Sequence, residues 1–120
     1  MRDEREERIY EICEGNTRFK PQAFFFIFMA LARCRMTEGV AGHVTGRQLL
    51  QAFAEEARSQ YGPMAKTVLN HMGFQTTRDV GDLVFLMVQE GLLSKTEQDS
   101  LGDFADGYDF DQEFVDRYRW

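Results

Sequence analysis

Apolar residues recur along most of this chain at intervals of three and four, the spacing typical of amphipathic helices. The clearest run predicts a helix that is capped by Thr77 and ended by Gly91, with an inward stripe of Val80, Leu83, Val84, Met87 and Val88. No stretch shows sustained alternation of apolar and polar residues. We therefore predict an all-α protein with essentially no sheet.

Capping and stop residues divide the rest of the chain into further helices. Thr45 with Gln48 is a capping box, Pro21 suits the first turn of a helix, and Gly73 suits a helix end. Together these signals predict helices over 3–14, 21–36, 46–61, 63–72 and 95–101, and a last helix from Asp109 or Asp111.

The segment 21–36 is apolar on every side until Arg33, because Phe, Ile, Met and Leu occupy positions 24–29 and 31. A helix without a polar face is expected at the centre of its fold, surrounded by other helices. A chain of 120 residues has the length of one domain with its own core. The predicted fold is a compact bundle of five to seven helices around this Phe-rich helix, in a single domain over residues 1–120.

All of the net negative charge lies in the last fifth of the chain. Residues 97–120 hold eight acids and two bases, a net charge of −6, whereas residues 1–96 hold twelve of each. Aromatic residues alternate with these acids: Phe104, Tyr108, Phe110, Phe114 and Tyr118. Since each buried aromatic side chain stabilises a fold by about 1.5–3 kcal/mol, we expect this segment to pack on the body. The other interpretation is that its acids face outwards and dock on a basic partner.

Several classes of protein do not fit the composition. The longest apolar run, Ala23–Ala32, has ten residues, whereas a membrane span needs about 20. The first eight residues alternate in charge where a secretory signal would be apolar. Cys13 and Cys34 fit no metal or redox spacing, so we expect reduced cysteines in a cytoplasmic protein. The overall acidity disfavours nucleic-acid binding through bulk charge.

Three other functions are alternatives to binding. Residues 63–93 have the outline of a helix-turn-helix, although their second helix carries one base, Arg78, among several acids. A metal-dependent enzyme would use His43 or His71 with carboxylates of the C-terminal segment, although no further nitrogen or sulfur ligand lies at short spacing. In the third alternative, Cys13 and a histidine form a nucleophile pair. Such partners need to be close in the folded structure and not in the sequence.

Five short stretches also stand out in order along the chain. They are HVTG at 43–46, YGPMA at 61–65, DVGDLVF at 79–85, GLLSK at 91–95 and DFADGYDF at 103–110. Together they resemble a family of small uncharacterised bacterial proteins, over a region from about Ile9 to Phe114. The resemblance implies an intracellular, single-domain bacterial protein, and it brings no known activity, substrate or catalytic residue.

Charge segregation without a catalytic constellation predicts a non-enzymatic binding or adaptor protein, with no cofactor and no metal. The expected partner is a basic protein or ribonucleoprotein surface, and the expected state is a monomer or a weak homodimer. The docking surface is expected on the acidic C-terminal segment or near Thr45 and Pro63. The candidate residues are His43, Arg47, Tyr61, Lys66, Asp79, Asp82, Lys95, Asp106 and Asp109.

Overall fold

The computed structural model describes residues 4–15, 18–38, 45–93 and 107–115. These residues form six α-helices and a 3-10 turn, and none of them lies in a strand, so the all-α prediction is confirmed. The helix predicted over 95–101 lies outside the described residues. The helices are α1 Glu4–Gly15, α2 Pro21–Glu38, α3 Gly46–Tyr61, α4 Ala65–Met72, α5 Thr77–Gln89 and α6 Phe110–Phe114, with the 3-10 turn Gly62–Met64 between α3 and α4.

The helix ends follow local signals in the sequence. The Thr45 hydroxyl accepts a hydrogen bond from the Gln48 N–H at 3.1 Å, and the Gln48 side chain accepts from the Thr45 N–H at 2.9 Å. Gly73 ends α4 with a φ of 119°, and the Phe74 N–H donates to the Leu69 carbonyl at 2.9 Å. This is a Schellman motif, which satisfies the last carbonyls of the helix.

The predicted cap of α5 is wrong by one residue, because Thr76 and not Thr77 is the N-cap. The Asp79 carboxylate accepts from the backbone N–H groups of Gln75 at 2.8 Å and Thr76 at 3.1 Å, which fixes the turn before the helix. Thr77 is instead the first helical residue and is buried, and its hydroxyl accepts from the Gly107 N–H at 3.3 Å. Of the two adjacent threonines, only Thr76 is followed three positions later by a carboxylate that completes a capping box.

The core is a connected set of aromatic rings between α2, α3 and the turn after α4. The Phe53 ring meets Phe26 edge-on at 5.0 Å between centroids and Phe74 edge-on at 5.1 Å. Phe74 in turn lies 5.6 Å from Phe19, at the start of the approach to α2. All four rings are buried, and α2 contacts α1, α3, α4 and α5, so the Phe-rich helix is central as predicted.

One side of α2 departs from the prediction that other helices surround it. Its outward stripe consists of Gln22, Phe25, Met29, Ala32 and Met36. Phe25 is half-buried, Met29 is 39 % exposed and Met36 is 86 % exposed, and Gln22 and Ala32 are also exposed. A helix that is apolar all round gives no sequence signal for which side the fold leaves uncovered.

The described part of the acidic-aromatic segment, residues 107–115, packs on the body. Phe110 is 4 % exposed and Phe114 is fully buried, and their rings meet edge-on at 5.1 Å. The Tyr108 hydroxyl donates to the Leu50 carbonyl at 2.9 Å. Burial raises the pKa of Tyr108 far above the ordinary tyrosine value, so the phenol stays protonated as a hydrogen-bond donor.

The acids of this segment are bonded within the chain. Asp109 caps α6, accepting from the backbone N–H of Asp111 at 2.8 Å and that of Gln112 at 3.2 Å. Asp111 pairs with Lys66 of α4, and Glu113 pairs with Arg58 of α3. These contacts align the segment along α3 and α4, and they leave its described carboxylates largely committed.

Candidate functional site

The structure separates the residues that the sequence singled out. His43, Lys95 and Asp106 lie outside the described residues. Arg47 is exposed near the start of α3. The other five candidates fall into three places, which are described in turn: a clamp on α5, a polar cleft, and an apolar groove.

Asp79 and Asp82 lie together at the start of α5, where both bind Arg18. The Arg18 guanidinium donates to both carboxylates, to Asp82 at 2.8 Å, and it also stacks over the Phe19 ring at 4.8 Å. Partial burial opposes the charged form, and the bonds to Asp82 and Asp79 outweigh it and raise the pKa of Arg18. This clamp ties the approach to α2 onto α5, which is a structural role for both aspartates.

Lys66 and Asp109 line a polar cleft of about 650 Å³ between α4, the start of α5 and residues 107–111. Lys66 is paired with Asp111, and the Asp109 side chain caps α6. The Thr77 hydroxyl is bonded to the Gly107 N–H. Each of these groups already has a partner within the chain, so the cleft presents no uncommitted charge from them.

The described residues offer little for the three alternative functions. They contain no group of three or more His, Cys, Asp or Glu that could hold a metal ion. Burial raises the pKa of the Cys13 thiol, which donates to the Phe19 carbonyl at 3.5 Å, so its nucleophilic thiolate is disfavoured. On α5, Arg78 is exposed beside the two aspartates of the clamp, an arrangement that repels a phosphate backbone.

Tyr61 belongs to a different site on the opposite side of α4. Its ring stacks on Phe26 at 5.9 Å between centroids, and burial, followed by the charge of Glu56, raises its pKa. It forms part of a mainly apolar groove of about 420 Å³ that is lined by Gln22, Tyr61, Thr67, Val68, His71 and Met72. Two helices, α2 and α4, and the end of α3 build this groove.

The groove and the outward stripe of α2 form one continuous surface, because Gln22 belongs to both. We call this surface the α2–α4 face: the stripe Gln22, Phe25, Met29, Ala32 and Met36 together with the six residues that line the groove. The stripe residues are spaced by three, four, three and four, which is the spacing of a helix seam that packs against another helix. An exposed apolar seam of this kind is typical of a binding surface.

Comparison with protein-family models, with curated proteins and with solved structures found no match. Among the described helices, none is both long enough and apolar enough to cross a membrane.

The two segments that wall the α2–α4 face have a charge signal that sequence reasoning missed. Residues 15–37 hold four bases and no acid, and residues 57–78 hold three bases and no acid. The two segments thus hold seven (4 + 3) of the fourteen bases and none of the twenty acids of a chain with a net charge of −6. Four of these bases, Arg18, Arg33, Arg58 and Lys66, are paired with acids of other segments, so the count indicates a region poor in acids and not a free basic surface.

Glu56 of α3 is an acid beside the α2 stripe, and its carboxylate is held within the protein. Arg33 Nε donates to Glu56 at 2.7 Å, and Gln60 donates both to Glu56 and to the Met29 sulfur, the latter at 3.3 Å. Burial favours the protonated form of Glu56, but the bonds from Arg33 and Gln60 outweigh it and lower the pKa of the carboxyl. The pair joins α2 to α3 along the edge of the face.

This pair predicts a pH dependence. Because the folded-state pKa of Glu56 is lowered, its contribution to stability is present above the unfolded pKa, roughly 4.3, and is lost as the pH falls below it. Between pH 6 and pH 3, the free energy of unfolding of the wild type should fall by about 1 kcal/mol more than that of Glu56→Gln. Denaturant unfolding at both pH values measures this, with Glu55→Gln as the control. Equal losses in wild type and Glu56→Gln would contradict the assignment.

Proposed function

We propose that the protein is a non-enzymatic binding protein that docks another protein on its α2–α4 face. The observation that carries this proposal is the exposed apolar seam of α2, continuous with the groove beside Tyr61. Because Met29 and Met36 are exposed, the fold lacks the stabilisation that burial of these two apolar side chains would give. Methionine side chains are also adaptable, and they are common on surfaces that accept a partner helix.

The location differs from the acidic C-terminal segment that charge alone suggested. Asp109, Asp111 and Glu113 are engaged in a cap and two ion pairs, so they are poor candidates for contacts with a basic partner. The proposed face keeps Tyr61 from the sequence candidates, and the 3-10 turn that follows Tyr61 contains Pro63, near which the sequence predicts a docking surface. Docking of the remaining acids of segment 97–120 on a basic protein or ribonucleoprotein stays a prediction.

The proposal predicts that a charge on the seam abolishes partner capture without unfolding the protein. Ala32 is exposed in the middle of the stripe, where glutamate costs a helix only about 0.5 kcal/mol. We expect Ala32→Glu to lose at least about 10-fold in captured partner, since a buried unpaired charge costs well over 1.4 kcal/mol. The measurement is quantitative capture from a lysate of the organism that encodes the chain.

The matched control is Gln51→Glu, which is also at an exposed position, on the outer face of α3. It should retain the captured partner, and both variants should keep the unfolding midpoint of the wild type. If all three proteins capture the same set in the same amounts, the α2–α4 face is not the docking surface.

A further inference from the structure

We infer that the partner of the α2–α4 face is an acidic amphipathic helix that lays its apolar side along the α2 stripe and directs carboxylates toward the Lys20 and His71 end of the face. This inference rests on the proposed docking function and adds the chemistry of the partner. It reverses the charge expected from the sequence, which pointed to a basic partner.

The shape of the stripe favours a helix as the occupant. Its residues repeat at three and four positions, so side chains from a second helix can insert between them as knobs into holes. Ala32 leaves a gap between the protruding Met29 and Met36, and Phe25 forms a half-buried floor toward the groove. An apolar groove that is read by spaced anchors of an amphipathic helix is a recurrent mode of peptide recognition.

The charge of one end of the face favours carboxylates. The Lys20 N–H donates to the Met72 carbonyl at 3.0 Å, which places Lys20 beside the last turn of α4, where His71 is exposed. Within the described part of the chain the Lys20 ammonium has no ion-pair partner. The backbone N–H groups at the start of α2 add positive potential at the same end, and no acid in the first turn of the helix offsets it.

The ten residues that define the α2–α4 face include no acid. The acid beside the stripe, Glu56, is held by Arg33 and Gln60, and the two wall segments 15–37 and 57–78 contain no acid. A lysine-rich helix would therefore approach Lys20 and His71 without any free carboxylate from these walls to compensate. Charge complementarity selects the acidic helix, and it does so most strongly at low salt.

Two matched peptides test the inference with the full chain. Each is an amphipathic helix of about 18 residues, the length of α2, with leucines at alternating spacings of three and four. Their polar positions carry glutamate in one peptide and lysine in the other. By fluorescence anisotropy at low salt, we expect the glutamate peptide to bind about 10-fold more tightly, because its carboxylates can contact Lys20 and His71 at the rim of the face.

Acids introduced at the proposed end separate specific contacts from bulk charge. The double variant Lys20→Glu with His71→Glu should lose the preference for the glutamate peptide, and Ala32→Glu should lose binding to both peptides. Arg47→Glu is the control, because it reverses an exposed base at the start of α3, outside the face. An equal effect of the control would show that only net charge matters, and would overturn the inference.

Equal affinity for the two peptides, preference for the lysine peptide, or no binding of either at millimolar concentration also overturns it. So does self-association that Ala32→Glu abolishes, which would make a second copy the occupant, or binding to anionic vesicles through the same residues. The docking function is judged separately, by whether Ala32→Glu changes lysate capture. The docking function can hold even if the acidic helix is ruled out as the partner.

Discussion

Replacement of Phe114 by alanine is expected to lower the free energy of unfolding by about 3–5 kcal/mol. Phe114 is fully buried, and its ring meets Phe110 edge-on at 5.1 Å and Tyr108 at 6.0 Å, so truncation leaves a cavity that these rings cannot fill. In a domain of this size the loss should lower the melting temperature by more than about 10 °C. Chemical denaturation and thermal unfolding of the full chain provide the measurement.

The neighbouring residue supplies the control for Phe114. Val115 is 38 % exposed, so Val115→Ala should change stability by less than about 1 kcal/mol. A Phe114→Ala variant that is as stable as Val115→Ala would mean that the C-terminal segment is not part of the core in solution. The acids of that segment would then be free for a partner, and the search for function would return to them.

Replacement of Gly73 by alanine is expected to cost about 2–5 kcal/mol, the second large effect. Two terms add at this position. Its φ of 119° is a conformation that side chains avoid, and a Cβ would lie 2.5 Å from the Arg18 carbonyl oxygen and 3.0 Å from the Phe19 ring. The backbone of residues 18–19 would have to move, which would disturb the Arg18 clamp on α5.

Gly91 separates the two terms. It ends α5 with a φ of 77° in the same motif, but a Cβ there would meet nothing within 4 Å. Gly91→Ala should therefore show only the conformational cost, about 1–2 kcal/mol, and Gly73→Ala should exceed it. Equal losses in denaturant unfolding would show that the approach of residues 18–19 to Gly73 is not tight in solution.

Much of the secondary structure could be predicted, because its signals are local. The predicted bounds of α3 are those observed, since Thr45 and Gln48 cap its start and Gly62 follows its end. Asp109 was one of two predicted starts for the last helix, and it caps α6. Thr76 and Thr77 show how a cap can be misplaced by one residue, because only Thr76 has a carboxylate, Asp79, three positions on to complete a capping box.

The candidate site could be predicted only in part. Tyr61 was among the candidates and lies in the groove, whereas Met29, Ala32 and Met36 were assigned to a surrounded helix. Periodicity predicts a buried side only when the opposite side is polar, and α2 has no polar side before Arg33. The exposed stripe is defined only by the packing of neighbouring helices against the other sides of α2.

Caps, stop residues and apolar spacing act over a few positions. Local sequence was therefore enough to predict that the protein is helical, where most of its helices begin and end, and that a Phe-rich helix is central. The tertiary structure alone decided which side of α2 stays exposed and which charges are already used. Arg18 meets Asp79 and Arg58 meets Glu113 across 61 and 55 positions of sequence, and such pairs depend on how the helices pack. Pairing of distant charges commits the acids of α6, and packing leaves an apolar face beside Lys20 and His71, so the proposed docking surface is a property of the assembled helices.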